Sequence, residues 1–294
     1  MSISPYRIFM SAILVAVLIG ACGSETKKNE KPLSDSAPLF EVKTPDQINF
    51  RPLNPARGDR SPQAGQLWGD IREDVASGVI LTFADGFSSP PHIHNIGYRA
   101  VVIEGGIHND DPSAAKLWMG SGSYWTQPAG EVHITAAKPG GKGVSFLEIF
   151  SGPYLVKPSS EVFDAGERPI NMTPDNIVWL NAKDSNWLKG VNNRAEISVL
   201  WRSSQGDDLV GAFLKLPGGE SGALIGPHAD LRSVIIKGDV RHKVKGTSSN
   251  TKLSEGGYFM SGRRVVNNVT CEAETECWLY VRTAQAFDFK MMSE

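Results

Sequence analysis

The stretch "PPHIHNIGYRAVVIEGG" (residues 90–106) decides how this sequence is interpreted. His92 and His94 stand one residue apart after two prolines, and a run rich in β-forming residues follows them. Alternate side chains of a strand point to the same face, so both imidazoles are expected on one side of a single strand. The pair predicts a metal site, and it raises two questions: which residue is the third ligand, and why Tyr98 follows.

The composition favours an all-β protein that does not bind nucleic acid. The 294 residues include 30 glycines and 18 prolines, show no long helical period, and carry a formal net charge of −2. Short apolar runs separated by turn residues are typical of sandwiches and barrels. The charge is nearly balanced, without a face-sized excess of Lys and Arg, which argues against nucleic acid as a partner.

The N-terminus has the pattern of an export signal. Arg7 precedes an apolar run that ends in "LIGAC", and this run is short for a membrane span. Small residues directly before Cys22 resemble a bacterial lipobox, in which the cysteine is acylated; the alternative is a plain secretory signal with a chance cysteine. Glycine at position 23 then implies outer-membrane sorting in Gram-negative bacteria.

These features predict how the chain begins and where the protein resides. We expect a signal peptide over residues 1–21, followed by lipidated Cys22 and a polar, flexible tether over residues 22–45. Acyl chains on Cys22 would hold the protein on a lipid bilayer as a cell-envelope lipoprotein of the outer membrane.

Cys271 and Cys277 flank a short acidic turn. The sequence leaves two alternatives for them, a disulfide across a hairpin or two free thiols.

The chain contains an internal repeat with an offset of 132–134 residues. Trp68 recurs as Trp201, and "YRAVVIEGG" (98–106) recurs as "LRSVIIKGD" (231–239), which pairs Arg99 with Arg232. Two copies of one β-unit account for the length of the chain. The predicted parts are a first domain over 46–155, a linker over 156–190 in which "NIVWL" adds a strand, and a second domain over 191–288.

The spacing of particular residues resembles the two sequence motifs of the cupin family. The first motif is matched by Gly86, His92, His94, position 98 and Gly105. The second is matched by Gly122, Pro128, Gly130 and His133. The resemblance implies two tandem cupin (RmlC-like jelly-roll) β-barrels. The stretches "SPPHIHNIGYRAVVIEGGIHNDDP" and "YWTQPAGEVHITAA" are also similar to DUF4437, a bacterial group related to the ChrR-type cupins.

His92, His94 and His133 are the predicted ligands of one divalent metal ion, since His133 would reach the same point from a later strand. Three neutral imidazoles leave coordination positions open for water or substrate, and Zn, Fe, Mn, Ni and Cu are not distinguished. The cupin pattern has Glu at 98 and Asn at 137, but this chain has Tyr98 and Ala137. Tyr98 is a candidate for hydrogen bonding around the metal, for acid/base chemistry, for substrate contact or for filling space.

The second copy lacks the ligands, so we expect a single metal per chain. Ile225, Pro227, Leu231 and Val265 are aligned with His92, His94, Tyr98 and His133. Glu148 in "VSFLEIF" is either an inward-facing acid or an outward-facing one, and the pattern does not decide between them.

Several functions fit this pattern. One is a metal-dependent enzyme acting on a small molecule, for example a dioxygenase; a site without the usual carboxylate favours an anionic molecule. A second is a non-catalytic envelope lipoprotein that binds a small molecule or a metal. A third is a metal-free cupin of the sugar-epimerase type with histidine and Tyr98 as acid and base. The sequence does not decide the oligomeric state, and a homodimer is one alternative.

The lipobox generates a direct prediction. Cys22→Ser is expected to move the protein from the membrane fraction to the soluble fraction, because the variant cannot be acylated. Fractionation followed by immunoblotting measures the distribution. A variant that still sediments with membranes would contradict the anchor.

Overall fold

The first half of the chain consists mainly of short strands, which form in apolar runs bounded by turn residues. The computed structural model describes residues 39–190, 192–204 and 206–292, so Cys22 and the predicted signal peptide lie outside the described residues. Twelve strands precede the second copy: β1 (Phe40–Lys43), β2 (Phe50–Pro52), β3 (Gln63–Trp68), β4 (Ser77–Phe83), β5 (His92–His94), β6 (Tyr98–Glu104), β7 (Ile107–Asp110), β8 (Tyr124–Gln127), β9 (Ile134–Ala137), β10 (Gly143–Ile149), β11 (Val156–Pro158) and β12 (Ile170–Met172).

The second half has the same character. Its strands are β13 (Leu188–Lys189), β14 (Glu196–Arg202), β15 (Leu209–Pro217), β16 (Ser221–Ile225), β17 (Leu231–Lys237), β18 (Val240–Val244), β19 (Thr251–Leu253), β20 (Tyr258–Ser261), β21 (Val266–Cys271), β22 (Glu276–Ala284) and β23 (Asp288–Met291). The helical segments are short 3₁₀ turns at Pro45–Gln47, Pro55–Arg60, Ser159–Glu161 and Pro174–Asn176. No helix in the described part of the chain is long and apolar enough to cross a bilayer.

The strand order confirms the predicted all-β fold and its repeat. A seven-stranded sheet contains the order β8-β6-β10-β4-β3, and a six-stranded sheet contains β20-β17-β22-β15-β14. These orders match strand for strand along the chain. Each copy closes with a second layer, formed by β11, β5, β9 and β7 in the first copy and by β13, β23, β16, β21, β18 and β19 in the second.

The two copies also exchange edge strands, which the sequence does not predict. β1 precedes the first copy but pairs with β20 of the second, and β12 precedes the second copy but pairs with β8 of the first. A similar motif follows each exchanged strand, "TPDQI" at 44–48 and "TPDNI" at 173–177. Residues 40–43 of the predicted tether are therefore an ordered strand, because the unpaired edge of β20 supplies backbone partners for them.

The linker contributes its strands at different places from those predicted. β11, β12 and β13 extend existing sheets, whereas "NIVWL" makes a single bridge, from Leu180 to Ile197. That bridge occupies the place that the β2–β3 pairing has in the first copy, where Arg51 lies opposite Ala64. The proline and 3₁₀ turn at Pro174–Asn176 directly before this segment limit its extended run.

The two large sheets pack face to face, so their central strands are buried on both sides. One apolar cluster fills each barrel and a third lies between the sheets, with Phe146 and Tyr124 from the first copy and Phe213 and Tyr280 from the second. β10 is buried at every position, which explains its nearly continuous apolar sequence.

Residues equivalent in the repeat meet across this interface. The guanidinium carbon of Arg99 lies 4.5 Å from the ring centroid of Trp201, and that of Arg232 lies 5.6 Å from the ring centroid of Trp68. Each copy therefore places its arginine over the tryptophan of the other copy, a favourable cation–π arrangement. The recurrence of these residues reflects the interface rather than the metal site.

Glu148 belongs to the interface as well. It faces away from the barrel of its own copy, and its carboxylate is fully buried against Arg282, whose Nε lies 2.5 Å from Oε1. The hydroxyl of Tyr280 donates a hydrogen bond to the other carboxylate oxygen. The residue is thus outward-facing and buried at once, because the second copy covers that face of β10.

Cys271 and Cys277 lie at the end of the hairpin formed by β21 and β22. Their sulfur atoms are joined in a disulfide, with Cα atoms 5.5 Å apart. Both residues pack into the apolar interior of the second copy, on the far side of the interface from the histidines.

The buried ion pair predicts a large and asymmetric effect on stability. Glu148→Leu should lower the free energy of unfolding by about 3–5 kcal/mol, because the guanidinium of Arg282 is left buried without its carboxylate. Combining Glu148→Leu with Arg282→Met should recover most of the loss, as measured by chemical denaturation. Glu161→Gln, which breaks an exposed pair with Lys157, should change stability by less than about 1 kcal/mol. Equal losses of unfolding free energy in Glu148→Leu and Glu161→Gln would contradict this account.

The disulfide predicts protected thiols and a modest stabilisation. Protein isolated from an oxidising compartment should show no reactive thiol at position 271 or 277 after denaturation, and two after reduction. Replacing both cysteines with serine should cost roughly 2 kcal/mol, because the closed loop is short. Two reactive thiols in unreduced, exported protein would show that the bond does not form.

Candidate metal centre

The first copy brings His92 and His133 together through its backbone. His92 donates its N–H to the carbonyl of His133, and His133 donates to the carbonyl of His92, both at 3.0 Å. A directly opposed pair of this kind holds two side chains close together on one face. His94, two residues along β5, shares that face, so three imidazoles converge from two strands.

A tight turn delivers the strand that carries His133. Gly130 adopts a φ of +76°, and its N–H donates to the carbonyl of His94 at 2.9 Å. A Cβ at this position would lie 2.3 Å from the carbonyl oxygen of Phe163, so only glycine fits the turn. The glycine predicted for this turn therefore serves the site directly.

The three histidines are buried and close enough to share one ion. Their exposed fractions are 8% for His92 and 1% each for His94 and His133. Their candidate ligand atoms all lie within 4.8 Å of one another, and the ring centroids of His92 and His133 are 4.3 Å apart. Among the residues that the structure describes, this is the one cluster of three or more potential metal ligands.

The backbone fixes which nitrogen each ring presents. Nδ1 of His92 lies 2.9 Å from the carbonyl of Pro90, Nδ1 of His94 lies 3.1 Å from that of Leu155, and Nδ1 of His133 lies 3.1 Å from that of Glu131. A carbonyl only accepts, so each Nδ1 carries the proton and each Nε2 is unprotonated, with a lone pair that can accept a hydrogen bond or bind a metal. This arrangement orients a metal-binding histidine from behind.

Burial keeps the three rings neutral. It lowers the pKa of His92 and of His94, the latter further through the charges of the other two imidazoles. For His133, burial and the charge of His92 lower the pKa to about 3. A neutral imidazole is the form that binds a metal.

The donor set fits a divalent metal ion. Nε2 of His133 is fully buried and has no hydrogen-bond partner among the described residues, which is costly unless something else occupies that direction. Three imidazole nitrogens suit Zn, Fe, Mn, Ni or Cu and leave positions free for other ligands.

Tyr98 lies beside the cluster, but its hydroxyl is committed elsewhere. Its ring stands edge-on to His94 with centroids 5.4 Å apart. The hydroxyl donates to Oδ1 of Asn109 at 3.0 Å, and Asn109 in turn bonds to Gln127 and Thr135. Burial raises the pKa of Tyr98 well above its ordinary value. Tyr98 therefore supports the wall of the site, and its predicted acid/base role stays a prediction.

Tyr154 is a residue of this site that the sequence does not single out. Its ring stacks on His94 with centroids 4.2 Å apart, and its hydroxyl oxygen lies 3.0 Å from Nε2 of His94. It lies between β10 and β11, outside both cupin motifs. The strand directly after it, β11, pairs with β5 beside the histidines, and no sequence pattern marks that pairing.

The second copy has different side chains at the position equivalent to the histidine cluster. Leu224 pairs with Asn267 as His92 pairs with His133, and both are fully buried. The aligned residues Ile225, Pro227 and Val265 are thus out of register, because the second copy has one more residue between this strand and the next, and a one-residue slip changes the face.

In the interior of the second copy, His242 and Asn267 are joined by a hydrogen bond, whereas Nδ1 of His242 has no hydrogen-bond partner among the described residues. Nε2 of His242 lies 3.0 Å from Oδ1 of Asn267, whose amide donates to Ser261 at 2.8 Å. Two open surface grooves of about 520 and 470 Å³ also lie on this copy, around Trp187 and Arg202. They contain none of the three histidines and lie on the outside of the fold.

The comparisons with known proteins agree with this architecture. The model of DUF4437, described as a domain of unknown function, matches residues 41–290. Among proteins with curated functions, no sequence matches the chain significantly.

Solved structures share the fold at low sequence identity. A candidate dioxygenase from Nostoc punctiforme is 14% identical with a TM-score of 0.61, and 88% of each chain is covered. Salicylate 1,2-dioxygenase from Pseudaminobacter salicylatoxidans is 13% identical with a TM-score of 0.54, covering 86% of this chain and 88% of that one. Oxalate decarboxylase from Lactobacillus farciminis is 11% identical with a TM-score of 0.53, covering 89% and 90%.

Such identities establish the fold alone, since one fold supports many reactions. The family match covers most of the chain, and the repeated strand order is that of two cupin barrels. The chain belongs to the DUF4437 family, and it is a bicupin whose first copy carries a three-histidine cluster.

Proposed function

We propose that the protein binds one divalent metal ion through His92, His94 and His133, and that this centre binds or transforms a small molecule. The observation that carries the proposal is the convergence of three Nε2 atoms whose rings are each held from behind by a backbone carbonyl. An arrangement in which three separate carbonyls select the same nitrogen suits metal binding better than general packing.

The residues of the site would have different roles. The three imidazoles would hold the ion on one side, and the barrel wall keeps bulk water away. A bound ion would act as a Lewis acid at its remaining positions. Glu148 and Arg282 are the buried charged residues among those described, and they pair with each other at the interface between the two copies, outside the barrel of the first copy. The ion would therefore provide the positive charge of the cavity, which favours an anionic ligand.

A metal-free epimerase is less well supported. Acid/base chemistry needs a proton donor and acceptor that face the substrate with pKa values near the working pH. The Nδ1 atoms here face backbone carbonyls, and the hydroxyl of Tyr98 faces Asn109. A non-catalytic binding protein would use the same three-histidine metal site. Only a measurement of substrate turnover distinguishes it from an enzyme.

The proposal includes a place in the cell. Acylation at Cys22 would anchor the protein at the bacterial envelope, in the outer membrane, and this rests on the lipobox resemblance alone. Exposure to the periplasm or medium disfavours Fe(II), which is readily oxidised there, and leaves Zn, Mn, Ni and Cu.

Metal stoichiometry tests the centre. Wild-type protein purified without a histidine tag should hold one metal per chain by elemental analysis after mild chelation. His133→Ala should lose most of the metal, because two imidazoles hold a divalent ion far less well than three. His228→Ala, which removes an exposed histidine of the second copy, is the matched control and should retain the metal.

Two results would contradict the proposal. Two metals per chain would place a second centre in the other copy. Unchanged occupancy in His133→Ala would show that the three histidines do not form the site.

A further inference from the structure

Nε2 of His94 has an oxygen atom of Tyr154 within hydrogen-bond distance. Nδ1 of His94 faces the carbonyl of Leu155, so Nε2 is the nitrogen available to a metal. The hydroxyl of Tyr154 donates a hydrogen bond of 3.0 Å to that Nε2, which carries no proton. An ion bound at Nε2 would replace the proton of this hydrogen bond and would have the phenol oxygen as a neighbour.

The separation matches that of two ligands of one ion. With bonds of about 2.1 Å, adjacent ligands lie roughly 3.0 Å apart in octahedral geometry and roughly 3.4 Å apart in tetrahedral geometry. The distance between Oη of Tyr154 and Nε2 of His94 falls at the lower of these values.

The backbone on both sides of Tyr154 is clamped in place. Asn95, next to His94, donates from its amide to the carbonyl of Pro153 at 2.9 Å and accepts from the N–H of Leu155 at 2.8 Å. The N–H of Tyr154 donates to the carbonyl of Ile71 at 2.8 Å. The phenol is therefore preorganised at the centre before any metal binds.

We infer that Tyr154 supplies the fourth protein ligand of the metal through its phenol oxygen, in place of the carboxylate that the cupin motif has at position 98. The inference rests on the proposed three-histidine centre. Tyr98 does not serve this role, because its hydroxyl is bonded to Asn109. On coordination the phenol O–H bond breaks, the oxygen keeps the electron pair for the metal, and the proton leaves to solvent.

The inference predicts a spectroscopic signature. Metal-free protein loaded with Cu(II) or Fe(III) should develop a visible phenolate-to-metal charge-transfer band. Tyr154→Phe should abolish the band and weaken metal binding by about tenfold or more in chelator competition. Phenylalanine retains the ring that stacks on His94, so the variant keeps the packing. Tyr124→Phe, which removes a buried hydroxyl at the interface between the copies, is the matched control and should retain both band and affinity.

A second variant tests the clamp. Asn95→Ala leaves every candidate ligand in place but frees the backbone around Tyr154, and it should reduce the intensity of the band while the histidines still bind metal. This variant also covers the case in which Tyr154→Phe fails to fold.

The outcomes separate the two proposals. A wild type that binds no metal would contradict the centre itself. A wild type that binds metal without the band, or a band that persists in Tyr154→Phe, would overturn the role of Tyr154. Tighter metal binding in Tyr154→Phe would also overturn it, because the hydroxyl would then compete with the metal for His94.

Discussion

The face-to-face packing of the two large sheets is the constraint on which the rest of the structure depends. It buries both faces of the central strands, so each strand has to satisfy its own barrel on one side and the other copy on the opposite side. Exchange of β1 and β12 closes the outer edge of each sheet with a strand that precedes the other copy. β1 and β12 then form the new edges of the sheets, and they are only four and three residues long, which limits pairing with another chain.

This packing separates two sets of polar residues on neighbouring positions of the same strands. In β6, Tyr98 faces the barrel and the histidines, whereas Arg99 faces Trp201 of the second copy. In β10, Leu147 and Ile149 face the barrel, whereas Glu148 meets Arg282. The metal centre and the interface are thus built on opposite faces of the same sheet, and a change in one strand can reach both.

The two copies share one backbone arrangement but have different side chains in their interiors. The first copy places imidazoles where β5 meets the strand of His133, and it leaves the buried Nε2 of His133 without a protein partner. The second copy places Leu224 and Asn267 there, with His242 bonded to Asn267. Each copy thus has a buried imidazole nitrogen without a hydrogen-bond partner among the described residues, but the first copy alone brings three imidazoles together. That convergence gives the first copy the interior expected of a binding site.

The sequence by itself determined the all-β class, the repeat, and the three histidines, because these follow from local patterns. Strand periodicity puts His92 and His94 on one face, and motif spacing adds His133. Tertiary structure alone decided the surroundings of the site. Tyr154 reaches His94 across 60 residues of chain. Its own N–H bonds to Ile71 and its two neighbours bond to Asn95, and no local pattern encodes such contacts. Whether Glu148 was inward or outward was also undecidable from alternation, since alternation assigns a side chain to a face but not to what covers that face. The second copy provides that cover, and its position depends on the packing of two whole sheets.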